Sequence, residues 1–351
     1  MLIAVKICIG LLPVFAFLIT LIFLDSYKLL KVRSILIAIG IGGLAAISCL
    51  FLNMSLLSVF EINLADFRRY LAPVLEESIK AIYLVYLLRS RRIGFMVDAA
   101  IFGFSIGAGF AAVENIQYLY MMENSSLLLW IIRGFGTAIM HGGTTALVGI
   151  VSKNILDQQK KEKLVHVLPA LGLAIVIHSV FNHFLLNPLL STMLILVILP
   201  LILIAVFERS EKSLKKWLDV GFVSDVELLE MIRSGMILES RIGRYLVSLK
   251  NRVPGEVLAD MLCYLQISVE LALKAKGTLL MHEAGFDAIL DDEAKKKLTE
   301  LKQLESHIGK TGKRILAPFL HVKSQDLWQI HMLQRHSLSN SNPAVFGKRR
   351  K

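Results

Sequence analysis

Charge is what this chain has least of. Of its 351 residues, 19% are Asp, Glu, Lys or Arg, while 55% are hydrophobic and the mean hydropathy is +0.62. Soluble domains average about 25% charged and 45–50% apolar residues, so the composition excludes an ordinary soluble protein. Cysteine is equally scarce. Cys8, Cys49 and Cys263 follow no spacing pattern, and two of them sit in apolar segments, so no disulfide framework is implied. No phosphate-binding motif is present. The segments 1–95 and 97–207 show no inverted repeat of the kind that builds many transporters. The opening run, Met1 to Asp25, lacks a charged region ahead of its apolar stretch and a prompt small-residue cleavage site. It therefore reads as a retained first span rather than a signal peptide.

The charges that do occur are unevenly placed. Residues 1–207 hold 15 Lys+Arg and 10 Asp+Glu, and the remaining 144 hold 24 and 18. The change in density at Glu208 marks a domain boundary. Before it, apolar segments near 3–24, 34–53, 71–88, 97–121, 127–151, 164–186 and 189–207 approach the 20 or so residues that cross a bilayer as a helix. Asn187-Pro188 supplies the turn between the last two. The expected fold is an all-α polytopic membrane protein. It has about seven transmembrane helices in 1–207, a helical cytoplasmic domain in 208–336, and a disordered basic tail in 337–351.

Basic residues set the expected orientation. Lys28, Lys31 and Arg33, then Arg89, Arg91 and Arg92, then Lys153 to Lys163, then Arg209 to Lys216 fall in alternate loops. Those loops and the C-terminus are placed in the cytoplasm, and the N-terminus outside the inner (cell) membrane.

Against this background, four apolar segments carry groups that a bilayer rejects. Glu76, Glu77 and Lys80 occupy one, Glu114 the next, His141 a third, and His178 with Asn182 a fourth. A charge at the centre of a lone spanning helix costs about 3 kcal/mol on insertion scales, so these groups are expected to face one another, water or a metal. Given the antiparallel orientation, all of them can lie in the outer half of the membrane at 1.5 Å rise per residue.

Each motif also has a plainer reading. Glu76, Glu77 and Lys80 could form a structural ion pair. The Gly103/Gly107 pair points to close helix packing. Arg133, eight residues before His141, reads as a side chain snorkelling to the interface. Glu114 has no cation within four residues to neutralise it. His178 and Asn182, four apart, share one helical face, where imidazole can ligate metal and a carboxamide can donate to an oxyanion.

The ordered set EExxK, FxxxE followed by Asn, a histidine in HGGTT, and HxxxN resembles the PrsW family of intramembrane proteases, distantly related to the CAAX prenyl endopeptidases. The resemblance covers roughly residues 70–190. Glu114 stands where the CAAX enzymes have a histidine. The resemblance implies an intramembrane hydrolase acting on a membrane-anchored protein, such as an anti-sigma factor.

Two site arrangements fit. In one, Glu114, His141 and His178 ligate a divalent metal such as Zn²⁺, and Glu76 or Glu77 takes a proton from water. In the other, without metal, the glutamates hold and deprotonate the water while a histidine and Asn182 stabilise the oxyanion. The rival class is a transporter or channel that uses the same acids and histidines as an ion or proton path.

The region after Glu208 reads as helical. Ser224-Asp225-Val226-Glu227 resembles a capping box, Pro254-Gly255 a break before a Glu256–Ala275 helix, and Lys295 to Lys297 part of a charged helix. The expected partners are the lipid bilayer, a membrane-anchored substrate and a cytoplasmic partner for the tail domain; nucleic acid is not expected.

Overall fold

A computed structural model describes residues 2–25, 30–60, 62–122, 125–158, 164–250, 253–283 and 292–316. All regular structure among those residues is helical, with no strand among them. In order, the helices are α1 (Leu2–Leu24), α2 (Val32–Phe60), α3 (Leu64–Asp66), α4 (Ala72–Arg89), α5 (Met96–Met121), α6 (Leu127–Ile131), α7 (Ala138–Gln158), α8 (Leu168–His183), α9 (Pro188–Arg233), α10 (Arg241–Ser248), α11 (Gly255–Glu283) and α12 (Asp292–Leu316). Two π-helical turns, Phe67–Leu71 and Ile132–Thr137, lead into α4 and α7.

Among the described residues, six helical stretches are long and apolar enough to span a membrane: Ile3–Leu24, Val32–Phe60, Met96–Met121, Leu127–Gln158, Val165–His183 and Pro188–Lys215. The expected count of about seven is not reached by this measure. The remaining segment forms α4, but Glu76, Glu77, Lys80 and Arg89 dilute its apolar character. It nonetheless packs against α2, α5, α7 and α8, and its charged residues Glu77 and Lys80 are buried. The turn between α8 and α9 falls where Asn187-Pro188 suggests. Phe184 ends α8 in the left-handed conformation, and Asn187 Oδ1 accepts from the Leu189 N–H at 2.9 Å.

Apolar side chains gain little from meeting one another in lipid, so membrane helices pack closely through small residues. α5 illustrates this. Its largest contacts are with α7 and α2, and both crossings run over glycine. A Cβ on Gly107 would lie 2.1 Å from the His141 carbonyl oxygen, and one on Gly103 would lie 2.5 Å from that of Thr145. Toward α2, a Cβ on Gly109 would lie 1.9 Å from the Ile39 oxygen, and one on Gly42 would lie 1.9 Å from the Ile106 oxygen. These approaches bring the backbone of α7 at His141 directly onto α5.

The chain divides into two compact units, Met1–Glu211 and Lys212–Lys351, with the division inside α9. The second unit is built on conventional amphipathic packing: Leu228, Ile232, Ile237, Leu265 and Val269 form one buried cluster. The capping box expected at Ser224 is not formed, because α9 runs unbroken through it. Within α9, Asp225 accepts from Lys276 Nζ of α11 at 2.7 Å. The helix expected at Glu256–Ala275 is α11, which is longer at its C-terminal end, and Lys295 to Lys297 lie in α12. The tail expected at 337–351 lies outside the described residues.

Candidate active site

The polar residues of α4, α5, α7 and α8 meet in one buried network. Glu77 is its hub. Its side chain is 0% exposed, and its Oε1 accepts from Lys80 Nζ at 2.7 Å, from His178 Nδ1 at 2.7 Å and from Thr144 Oγ1 at 3.2 Å. Its other oxygen, Oε2, is buried and has no hydrogen-bond partner. Three donors on one carboxylate oxygen are what a buried acid needs to remain charged beside an ammonium. They also tie α4 to α7 and α8.

Lys80 bridges to the next layer. Its Nζ lies 3.2 Å from His141 Nδ1 and 4.9 Å from the centre of the Phe110 ring. The other nitrogen of His141, Nε2, lies 3.1 Å from Glu114 Oε2. Both ring nitrogens of His141 therefore have partners, Lys80 on one side and Glu114 on the other. With Lys80 donating to Nδ1, Nε2 carries the proton and donates to Glu114. A metal claiming either nitrogen has to displace one of these neighbours.

His178 is arranged differently. Glu77 takes Nδ1, which leaves Nε2 facing Glu76 Oε2 at 3.8 Å. The two imidazoles meet edge to face, ring centres 4.8 Å apart. Glu76 is the less committed acid, with a side chain 12% exposed.

A divalent metal fits here by the chemistry of the donors. Glu76, His141 and His178 each offer a ligand atom, and the three atoms lie within 4.8 Å of one another. Two imidazoles and a carboxylate are a usual protein donor set for a catalytic zinc-type ion. This trio contains Glu76, whereas the sequence pointed to Glu114. Glu114 lies beside His141, on its Nε2.

Asn182 is placed one turn beyond His178, but its amide nitrogen donates to the backbone oxygen of Arg68 at 2.9 Å. Ser179 Oγ likewise donates to the Arg69 oxygen at 2.6 Å. Together they hold the π-helical turn that leads into α4. Such turns recur at functional positions in helices.

Sequence reasoning underrated Arg133. It was read as snorkelling, yet it is 7% exposed and its Nη2 lies 3.2 Å from Glu114 Oε2. The cation that neutralises Glu114 comes from another helix, beyond the reach of a count along the chain. Asn115 and Thr144 stand in the sequence motifs, after FxxxE and within HGGTT, but the sequence assigns them no role. The one available signal was the pair Gly134 and Gly136 beside Arg133, residues that permit an unusual turn and a close neighbour.

The sequence matches the PrsW family of intramembrane metalloproteases over residues 31–207. The chain belongs to that family and is a multi-pass membrane protein of the protease class. No curated protein and no solved structure matches it significantly.

Proposed function

We propose that this protein is an intramembrane endopeptidase in which Glu76, His141 and His178 hold a divalent metal, with Zn²⁺ the best suited to two imidazoles and a carboxylate. The observation that carries this reading is the convergence of these three ligands inside a family of metalloproteases. When bound, such an ion supplies Lewis-acid polarisation of the scissile carbonyl and acidifies water.

The chain's own residues supply the rest. Glu77 Oε1 holds the Nδ1–H of His178 and so fixes the ring with Nε2 turned toward Glu76, a carboxylate–histidine pairing common behind metal ligands. Glu77 Oε2, buried and without a partner, accepts the proton of the attacking water and returns it to the leaving amide nitrogen. Lys80 balances the charge of Glu77, and its Nζ has to leave His141 Nδ1 for that nitrogen to hold the ion while Glu114 keeps Nε2. Glu114 faces His141 Nε2 and either orients that ring or, as the sequence reading had it, joins the ligands. Asn182 serves the oxyanion only if its amide leaves the Arg68 carbonyl; in the arrangement described it secures the entrance to α4.

The substrate in this reading is a membrane-anchored protein with a single span, an anti-sigma factor being the type implied by resemblance. The basic loops place residues 89–92 in the cytoplasm. Glu76, near the start of α4, then lies toward the outer side of the inner membrane, and cleavage falls in the outer half of the substrate span. The second unit faces the cytoplasm.

A single-span reporter co-reconstituted with the protein in vesicles tests the chemistry. Glu77→Gln and His178→Ala are expected to lower cleavage by about 100-fold or more while the protein remains inserted, in keeping with loss of a general base or its partner. The purified chain is expected to carry about one equivalent of divalent metal, as one three-ligand site requires, and to lose it in His141→Ala. Full activity in a metal-free, chelator-treated preparation would instead favour the glutamate–water arrangement. Ion flux through protein that never cleaves the reporter would favour the transporter. Impermeant labelling of Asn63→Cys but not Arg91→Cys on intact cells, after removal of the native cysteines, tests the orientation; the reverse pattern inverts it.

A further inference from the structure

Arg133 is held on three sides by one helix. Its Nε donates to Asn115 Oδ1 at 2.9 Å, its Nη2 lies 3.2 Å from Glu114 Oε2, and its guanidinium carbon sits 3.5 Å over the centre of the Tyr118 ring. All three partners are on α5. Asn115 is itself anchored, since its Nδ2 donates to the backbone oxygen of Gly10 on α1 at 2.8 Å. The chain of contacts therefore runs from α1 through Asn115 and Arg133 to Glu114, and from there to His141 Nε2.

Local backbone geometry brings Arg133 to this position. On an ideal helix, eight residues at 100° each leave Arg133 about 80° away from His141. The π-helical turn Ile132–Thr137, closed by the Ala138 N–H bonding to the Arg133 oxygen, inserts one residue. This removes about 100° of rotation and swings Arg133 to within about 20° of the His141 face. The turn can pack here because of its glycines. A Cβ on Gly134 would lie 1.9 Å from the Ile9 oxygen of α1, and one on Gly136 would lie 2.5 Å from Thr192 Oγ1 of α9.

We infer that Arg133, backed by Asn115, is a positioning residue of the site: it fixes the Glu114 carboxylate against His141, and it makes α1 part of the catalytic apparatus. α1 lies outside residues 31–207, the part of the chain that matches the family. The inference rests on the reading of His141 as a metal-holding residue. It holds whether Glu114 orients that ring or ligates the ion itself, because the guanidinium sets the carboxylate's place in both cases. A guanidinium can donate to Asn115 through Nε while its charge faces Glu114 as an ion pair without a hydrogen bond; a lysine ammonium offers no such division of roles.

The test is a Co²⁺ titration of the purified full chain in detergent, followed by the visible absorption of the bound ion. Arg133→Gln is expected to weaken Co²⁺ binding at least tenfold and to change the band shape. Arg133→Lys is expected to recover part of the loss, and Asn115→Ala to show a smaller weakening of the same kind. A purely structural arginine would lower the melting midpoint and leave the affinity and spectrum of the folded protein alone. Binding by Arg133→Gln within twofold of the unaltered chain therefore overturns the inference. If the unaltered chain takes up no Co²⁺, the metal reading fails, and the clamp is judged separately by melting the metal-free chain. Arg133→Gln and Glu114→Gln should then be coupled, the double variant melting no lower than the worse single one. Additive losses would overturn the clamp.

Discussion

Each unit of this protein buries a lysine–carboxylate pair at the same distance, and the two pairs sit in opposite surroundings. Lys80 and Glu77 meet at 2.7 Å with both side chains fully buried, among His141, His178 and Thr144. Lys276 and Asp225 also meet at 2.7 Å, but the aspartate side chain is 12% exposed, and α9 and α11 already share an apolar cluster. The tail pair joins helices that hydrophobic burial has brought together. The membrane pair belongs to helices that gain little from apolar contact with one another, so polar bonds and glycine crossings carry the packing. In the proposed reading the charged network there is both the cohesion of the bundle and its chemistry, and mutation does not readily separate the two.

The sharpest way to break this comparison is to remove the lysine from each pair. Lys80→Met leaves Glu77 and its oriented histidine without their cation in a dry site. Reporter cleavage should fall about 100-fold or more, as for loss of a general base or its partner, with a stability loss of about 3–5 kcal/mol, the usual cost of an orphaned buried charge. Lys276→Met leaves Asp225 with access to water. The expected loss is about 1–3 kcal/mol, the scale of a charged hydrogen bond, read as faster hydrogen exchange along α11 with cleavage unchanged. Equal losses of cleavage in the two variants would show that the tail pair also supports the site.

Glycine offers the next contrast. Gly107→Ala drives a methyl group into the His141 carbonyl, 2.1 Å away. Overpacking of this kind costs about 1–3 kcal/mol, and here it also shifts a site histidine, so cleavage should fall more than the melting midpoint suggests. A Cβ on Gly277, in α11, meets nothing within 4 Å. Gly277→Ala should stabilise that helix by about 0.4–1 kcal/mol. A destabilised Gly277→Ala protein in the same melting series would contradict the open space seen beside α11.

The smallest effect is expected at the ion network around Glu270, whose partners Arg233 and Lys297 reach solvent. Burial alone would raise the Glu270 carboxyl, but hydrogen bonds from Lys297, Arg233 and Gln266 outweigh it and lower it from the usual 4.5 to about 2. A depressed carboxyl contributes stability above its unfolded value and loses it as pH falls through the folded one. Hydrogen exchange of α11 and α12 should therefore quicken as pH drops from about 4.5 toward 2, after correction for the intrinsic exchange rate. Glu270→Gln should remove that dependence, at a cost of no more than about 1 kcal/mol at neutral pH because water screens such pairs. An unchanged pH response in Glu270→Gln would place the sensitivity elsewhere.

The sequence alone determined the class of the protein. Long apolar runs can only be helices in lipid, where each backbone donor and acceptor must be satisfied within its own segment. The same constraint made Glu76, Glu77, Lys80, Glu114, His141 and His178 conspicuous, because polar groups at that depth need a reason to be there. Local signals were also sufficient to anticipate α11, after the Pro254-Gly255 break, and the turn at Asn187-Pro188.

What only the tertiary structure decided is how those groups are paired. Partners such as His178 with Glu77, Arg133 with Glu114 and Asn182 with the Arg68 carbonyl lie on different helices, and no spacing rule along the chain relates them. Arg133 reads as snorkelling when only its neighbours along the chain are considered; the π-helical turn Ile132–Thr137 and its partners Glu114 and Asn115 on α5 bury it instead. The cap expected at Ser224 does not form because α9 continues unbroken from Pro188 to Arg233, so no helix begins there to be capped. Local sequence sets which groups must be buried together; the crossings of α5 over glycine, at backbone contact, set which of them touch.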